Sequence, residues 1–318
     1  MAKSQSQARV RRSSSGGRAK VAFEPRSSSD LELERSRARS ATAVDRRRPA
    51  ASNLARLAPP IHLHPAAPLA ERVLLPGDPG RALLLAQQLL AVQKMFNHNR
   101  GLWGYTGTAT DGELLTIQST GMGGPSTAIV IAELADLGAE RLMRVGTCGA
   151  LDPSLHLGDV IVATAAIAFD GTSRALGAHD RVAPDPELTA ALQAAQPGTA
   201  AGPVATTDLF YDGPADQEQR WIDAGALAVE MESASLFAVA DQRGLQAAAA
   251  LVVSDVLLPS RVRIVPERLR EAERRMGALA TRALGISMPL GARRSARAAS
   301  PARSPLRRSG PRAPKASR

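Results

Sequence analysis

The sequence predicts an α/β domain over residues 58–288, with a central mixed, mostly parallel twisted sheet flanked by helices on both faces. Three observations predict it. Short apolar runs alternate with longer helix-forming stretches through the middle of the chain, the pattern of a parallel sheet covered on both sides. Gly77-Asp78, Gly146-Thr147, Glu230-Met231-Glu232 and Ser254-Asp255 each end a predicted strand, and open α/β sheets bind ligands beyond the carboxyl ends of strands. The two ends of the chain, finally, differ in composition from the middle.

Charge separates these regions. The 318 residues carry a net charge of +10. Residues 1–57 hold fourteen Lys or Arg against five Asp or Glu, and residues 289–318 hold nine and no acid. The middle is left with seventeen basic and twenty-five acidic residues, a formal charge of −8. Both tails are rich in Arg, Ser, Ala and Pro and cannot bury a core, so they are expected to be disordered. Basic tails can bind nucleic acid by neutralising phosphates, and a nucleic-acid-binding protein acting through them is the reading from another functional class. An inert extension, a misassigned start or an organellar transit peptide fits the same composition. The acidic middle argues against nucleic acid lying in its clefts.

The single cysteine, Cys148, excludes an internal disulfide and a Cys-cluster metal site, and fits a reducing, cytoplasmic setting. No apolar run reaches membrane-spanning length. No Gly-x-x-x-x-Gly-Lys-Ser/Thr loop is present, and Gly121-Met-Gly-Gly lacks dinucleotide-binding spacing. Neither a metal nor an organic cofactor is expected.

Residues 72–75 read as a buried strand ending at the Pro76-Gly-Asp-Pro79 turn. A helix is expected over 81–91, then strands over 105–110 and 114–119 paired around Asp111-Gly112. Pro125 suits the first turn of a helix over 125–137. Strands over 141–145 and 160–168, a helix over 185–195, and strands over 203–206 and 226–230 follow. A helix over 232–243, a strand over 247–254 and a helix over 266–284 complete the series.

Gly77 lets backbone N–H groups approach an anion, and the helix starting near Gly80 adds a positive dipole end with Arg81 in its first turn. Arg144 precedes Gly146-Thr147-Cys148-Gly149, read as a second small-residue loop. Either loop alone is explained by an ordinary turn; two loops with an arginine each fit a free phosphate. Glu230 and Glu232 flank Met231 at a strand end, where they can share a pocket and accept from a ribose diol. A solvated pair at a helix start is the competing account. Asp255 follows the buried run 247–254, with Arg268 on the next helix as a possible partner.

Taken together, Pro76-Gly-Asp-Pro79, Asn99-Arg100 with Gly104-Tyr-Thr-Gly107, Gly121-Met-Gly123, Arg144-Val-Gly-Thr-Cys-Gly-Ala150, Val229-Glu-Met-Glu-Ser233 and Ser254-Asp255 occur in order across residues 58–288. The set resembles the bacterial hexameric purine nucleoside phosphorylases, within a nucleoside phosphorylase family that also holds uridine phosphorylases and adenosylhomocysteine-type nucleosidases. The resemblance implies phosphorolysis of purine nucleosides to free base and (deoxy)ribose 1-phosphate, in nucleoside salvage, with inorganic phosphate as co-substrate. It implies a phosphate site of Gly77, Arg81, Arg144 and Thr147, with Arg100 reaching in from a neighbouring subunit. The nucleoside site it implies has Glu232, beside Glu230, on the ribose hydroxyls and Met231 on the sugar. His62, with His64 competing, would meet the 5′-hydroxyl across a dimer interface, and Phe210 would lie near the base. Asp255 would be general acid toward purine N7, assisted by Arg268. A homohexamer built as a trimer of dimers goes with these roles. Uridine phosphorylases carry an inserted Gln-x-Arg clamp that is missing after Tyr211, and hydrolytic nucleosidases do not need the three arginines. Val256 replaces the His that often follows Ser-Asp in the family, which leaves the base range open.

Overall fold

The computed structural model describes residues 59–211 and 213–286; both basic tails lie outside the described residues. In chain order the elements are β1 (Arg72–Leu75), α1 (Pro79–Leu89), β2 (Ala91–Asn97), β3 (Gly104–Thr108), β4 (Leu114–Gln118), α2 (Gly124–Leu137), β5 (Arg141–Ala150) and β6 (Val160–Ala168). Then come α3 (Gly171–Ala175), β7 (Arg181–Val182), α4 (Pro186–Ala195), β8 (Ala200–Thr206), α5 (Gln217–Asp223), β9 (Ala228–Glu230) and α6 (Ser233–Arg243). The series closes with β10 (Gln246–Val256), β11 (Val262–Arg263) and α7 (Pro266–Ile286).

The strands form one mixed sheet. β4, β1, β5 and β10 lie side by side and parallel, as do β6, β8 and β9. Antiparallel pairs join the two groups, β10 to β6 and β5 to β9, and build the β2–β3–β4 flank. The longest ladders, β10–β5 and β6–β8, are parallel.

β10 shows how the sequence builds the two-sided core. Ala247, Ala249, Leu251 and Val253 point to one apolar layer, with Ile131 and Leu134 of α2 and Phe237 of α6. Ala248, Ala250 and Val252 point to the other, with Leu85 of α1, Leu192 of α4 and Met276 of α7. A strand covered on both faces reads as a continuous apolar run, so this alanine-rich segment is a strand although alanine alone favours helix. Leu251 is fully buried, and truncating it to alanine costs about 2–5 kcal/mol. Close helix packing has its own requirement: a Cβ on Gly277 of α7 would come within 2.4 Å of Leu85 Cδ2.

Of the features that differ from the sequence expectation, three bear on the sheet around the strand ends. The helix expected to reach Ala91 ends at Leu89, and Ala91 opens β2, a strand at the sheet edge. Residues 91–95 of β2 are all exposed, so no alternation of apolar residues announces it. The expected loop at 146–149 is instead the second half of β5, paired with β10 from Leu251↔Gly146 to Val253↔Cys148 and, after a register shift, at Asp255↔Gly149. Its glycines follow from crowding. Residues i and i+2 of a strand share a face, and a Cβ on Gly146 would lie 2.6 Å from Arg144 Cζ. Third, Arg263 enters β11, which pairs back on β10 and was not anticipated. Among the described residues no helix is long and apolar enough to cross a membrane.

Candidate active site

The carboxyl ends of β1, β5, β9 and β10 open into a cleft of about 750 Å³. Gly77, Arg81, Arg144, Thr147, Phe210, Glu230, Met231, Glu232 and Asp255, nine positions singled out in the sequence, all line it.

Arg144 is its central cation. Nε donates to Glu230 Oε2 at 2.9 Å, and Nη2 lies 2.5 Å from Glu232 Oε2. Burial works against the guanidinium charge, but Glu232 and Glu230 outweigh it and hold Arg144 above the ordinary arginine range. The two carboxylates are not equivalent. Glu230, with no side-chain exposure, also accepts from Thr206 Oγ1 at 2.5 Å and from the amides of Glu232 and Ser233. Those amides open α6, so Glu230 satisfies helix N–H groups that lack partners within the helix. Its acceptor capacity is largely taken up by the protein. Glu232 accepts from the Gly123 amide at 2.6 Å and keeps room for further donors. Burial, with Glu230 adding to it against Arg144, pushes its carboxyl above the usual range.

Arg81 also lines the cleft. Asp78 caps α1 by accepting from the amides of Gly80 and Arg81. The Arg81 Nε donates to Glu273 Oε1 of α7 at 2.7 Å, which leaves its Nη groups to meet an anion. Gly77 sits where a Cβ would come within 3.1 Å of Gly121 O, so small residues let the two loops close over this end of the cleft.

Asp255 is buried, and its Oδ2 accepts from Ser254 Oγ at 2.8 Å. The register of β10 on β5 shifts between Val253 and Asp255, a bulge that re-aims side chains. Oδ1 is buried without a hydrogen bond, and Arg263 Nε is 3.2 Å away as an ion-pair partner. The expected partner, Arg268, is exposed on α7 and does not line the cleft. Arg263 takes its place because β11 pairs Arg263 directly opposite Asp255.

A family model described as Phosphorylase superfamily matches residues 71–285. The chain belongs to this superfamily. It is 39% identical over 202 residues to a protein of Alkaliphilus metalliredigens named "Purine nucleoside phosphorylase DeoD-type", covering 60% of this chain and 84% of that one. A protein of the same name from Geobacillus kaustophilus is 39% identical over 207 residues, covering 63% and 87%. Among solved structures, a uridine phosphorylase from Vibrio fischeri ES114 superposes with a TM-score of 0.62 at 28% identity, covering 69% of this chain and 93% of that one.

Besides Arg268, two residues that the sequence assigns to the site, His62 and Arg100, lie outside the cleft. His62 Nδ1 is 2.7 Å from Glu133 Oε1, and the same carboxylate accepts from the amides of Ile61, His62 and Leu63. Arg100 is exposed in a short turn, where the neighbouring Asn99 Nδ2 donates to the His62 carbonyl at 2.9 Å. His62 and the Arg100 turn are thus bound to one another. His64 is exposed, and its amide donates to Asn97 Oδ1.

The cleft also contains residues with no role assigned from the sequence. Met122, 84% exposed, lines it from the Gly121-Met-Gly123 motif. Trp221 of α5 and Arg261 line it as well, and no local pattern marks either one. Cys148 lines the cleft too, but burial pushes its thiol up, far from a thiolate. Among the described residues no group of three or more His, Cys, Asp or Glu is placed to hold a metal ion.

Proposed function

We propose that this superfamily member cleaves purine nucleosides with inorganic phosphate, giving the free base and (deoxy)ribose 1-phosphate. The observation that carries the reading is that Arg81 and Arg144 face one cleft with Glu232 and the buried Asp255. Bidentate arginine donors suit a phosphate dianion, and the sequence relatives bear purine phosphorylase names.

Cleavage of the C1′–N9 bond leaves positive charge on the sugar and sends the bonding electrons to the base. Phosphate held by Arg81, Arg144, Thr147 and the Gly77 loop stabilises the developing cation, and one of its oxygens then bonds to C1′. Glu232 accepts from the ribose hydroxyls, and Met231 packs on the sugar. Asp255 in its protonated form gives its proton to purine N7, a transfer that contributes roughly 10²–10⁴-fold. His62 and Arg100, outside their own cleft, act on a neighbouring subunit's substrate in a homohexamer. No organic cofactor takes part in this cytoplasmic salvage reaction.

Likeness to the uridine phosphorylase favours a second reading, pyrimidine phosphorolysis. A panel of inosine, guanosine, adenosine and uridine, each with and without phosphate, separates the readings. Base release from the purine nucleosides only when phosphate is present is expected. Phosphate-independent release would replace phosphorolysis by hydrolysis, and preferred cleavage of uridine would replace the purine assignment.

A further inference from the structure

Three arginines line the cleft, and one of them differs from the others. Arg81 is bound by Glu273, and Arg144 by Glu230 and Glu232. Arg261 has no carboxylate partner among the described residues; its guanidinium carbon lies 5.0 Å from the centroid of the Phe210 ring. This stack joins the segment after β8, which carries Phe210, to the turn between β10 and β11, which carries Arg261. The same hairpin pairs Val256 with Val262 and Asp255 with Arg263. Arg261 therefore adjoins a registered pair of the ladder that holds Asp255. It stands at the Asp255 and Phe210 end of the cleft, not among the residues that hold Arg144.

Stacking on an aromatic face fixes the plane of a guanidinium while leaving its edge N–H groups free to donate. Arginine can donate but never accept. A carbonyl oxygen on the base satisfies such an edge, whereas an exocyclic amino group turns N–H toward N–H. Discrimination by mismatch of this kind works against the wrong ligand as well as for the right one.

We propose that Arg261, held on Phe210, is the specificity-determining residue that selects bases bearing a carbonyl at the six-position, so that 6-oxopurine nucleosides are preferred to 6-aminopurine nucleosides. The inference rests on the phosphorolysis reading and deepens it by naming the substrate class.

The test compares the full-length wild type with Arg261→Met, which keeps apolar contact with Phe210 and removes the donors. Two quantities are read. One is the ratio of kcat/KM for inosine to that for adenosine at saturating phosphate; the other is the ratio of calorimetric affinities for hypoxanthine and adenine. The wild type should favour the 6-oxo member of each pair, and Arg261→Met should reduce both ratios roughly tenfold or more, as loss of a charge-assisted hydrogen bond requires. Unchanged ratios, or an equal fall for both members of a pair, would overturn the proposal. Absence of phosphorolysis in the wild type would refute the reaction instead, and the base-affinity ratios would still decide the role of Arg261.

Discussion

The Arg144 guanidinium is pinned between two buried carboxylates, Glu230 at Nε and Glu232 at Nη2. The two partners should separate on mutation. Glu230→Ala removes the anchor of Arg144 and of the first amides of α6 at once, and breaking such a buried pair costs about 3–5 kcal/mol. Urea unfolding followed by circular dichroism measures the loss. Glu232→Gln keeps an acceptor for the Gly123 amide and should unfold close to the wild-type midpoint, while its nucleoside KM rises. A Glu232→Gln protein as unstable as Glu230→Ala would contradict this division of labour.

Phosphate binding should depend on Arg144 and, less obviously, on Gly146. Arg144→Ala should raise the phosphate KM at least tenfold. In Gly146→Ala the new methyl would meet the Arg144 guanidinium, 2.6 Å from its carbon, and the flexible side chain would give way before the β5–β10 ladder does. The expected result is a raised phosphate KM with an unaltered far-ultraviolet circular dichroism spectrum. An unchanged KM for phosphate in both variants would remove Arg144 from the phosphate site.

Glu133 yields a prediction about pH. Burial raises its carboxyl, but the His62 ring and the amides of Leu63, His62 and Ile61 together hold it below the ordinary carboxylate range. A carboxylate whose pKa is lowered on folding stabilises the protein above its unfolded value of about 4.3, and the contribution is lost as pH falls through the folded value. Glu133→Gln should therefore be less stable than wild type at pH 7, by about 1–3 kcal/mol. The difference should shrink steadily below about pH 4. Thermal unfolding of both proteins across that range checks the sign; a gap that widens on acidification would be wrong for this network.

Asp255 and its arginines give the last test. Asp255→Asn should depress turnover of purine nucleosides by roughly 10²-fold or more if it delivers the N7 proton. Arg263 is the ion-pair partner in this structure, so Arg263→Gln should lower purine-nucleoside turnover more than Arg268→Gln does. A larger loss in Arg268→Gln would point to a rearrangement that brings α7 toward Asp255.

The sequence by itself determined the sheet with helices on both sides, because strands such as β10 are apolar on both faces and have to be covered on each. It also marked strand ends that meet at one cleft: Gly77, Arg144, Glu232 and Asp255 stand out against apolar runs. Tertiary structure alone decided what those side chains touch. Glu230 and Glu232 look alike in sequence and both line the cleft, yet the start of α6 takes up the acceptors of one while the other keeps room for further donors. Gly146 resembles a loop glycine until the guanidinium two residues earlier is seen to need its space. Arg268 was a reasonable partner for Asp255 by position, but the pairing of β11 on β10 puts Arg263 there instead. Arg261 carries no sequence signal at all, because its contact with Phe210 joins residues that are distant along the chain. Periodicity reports burial, a property of one segment; ion pairs and stacks belong to two segments and exist only once both are placed.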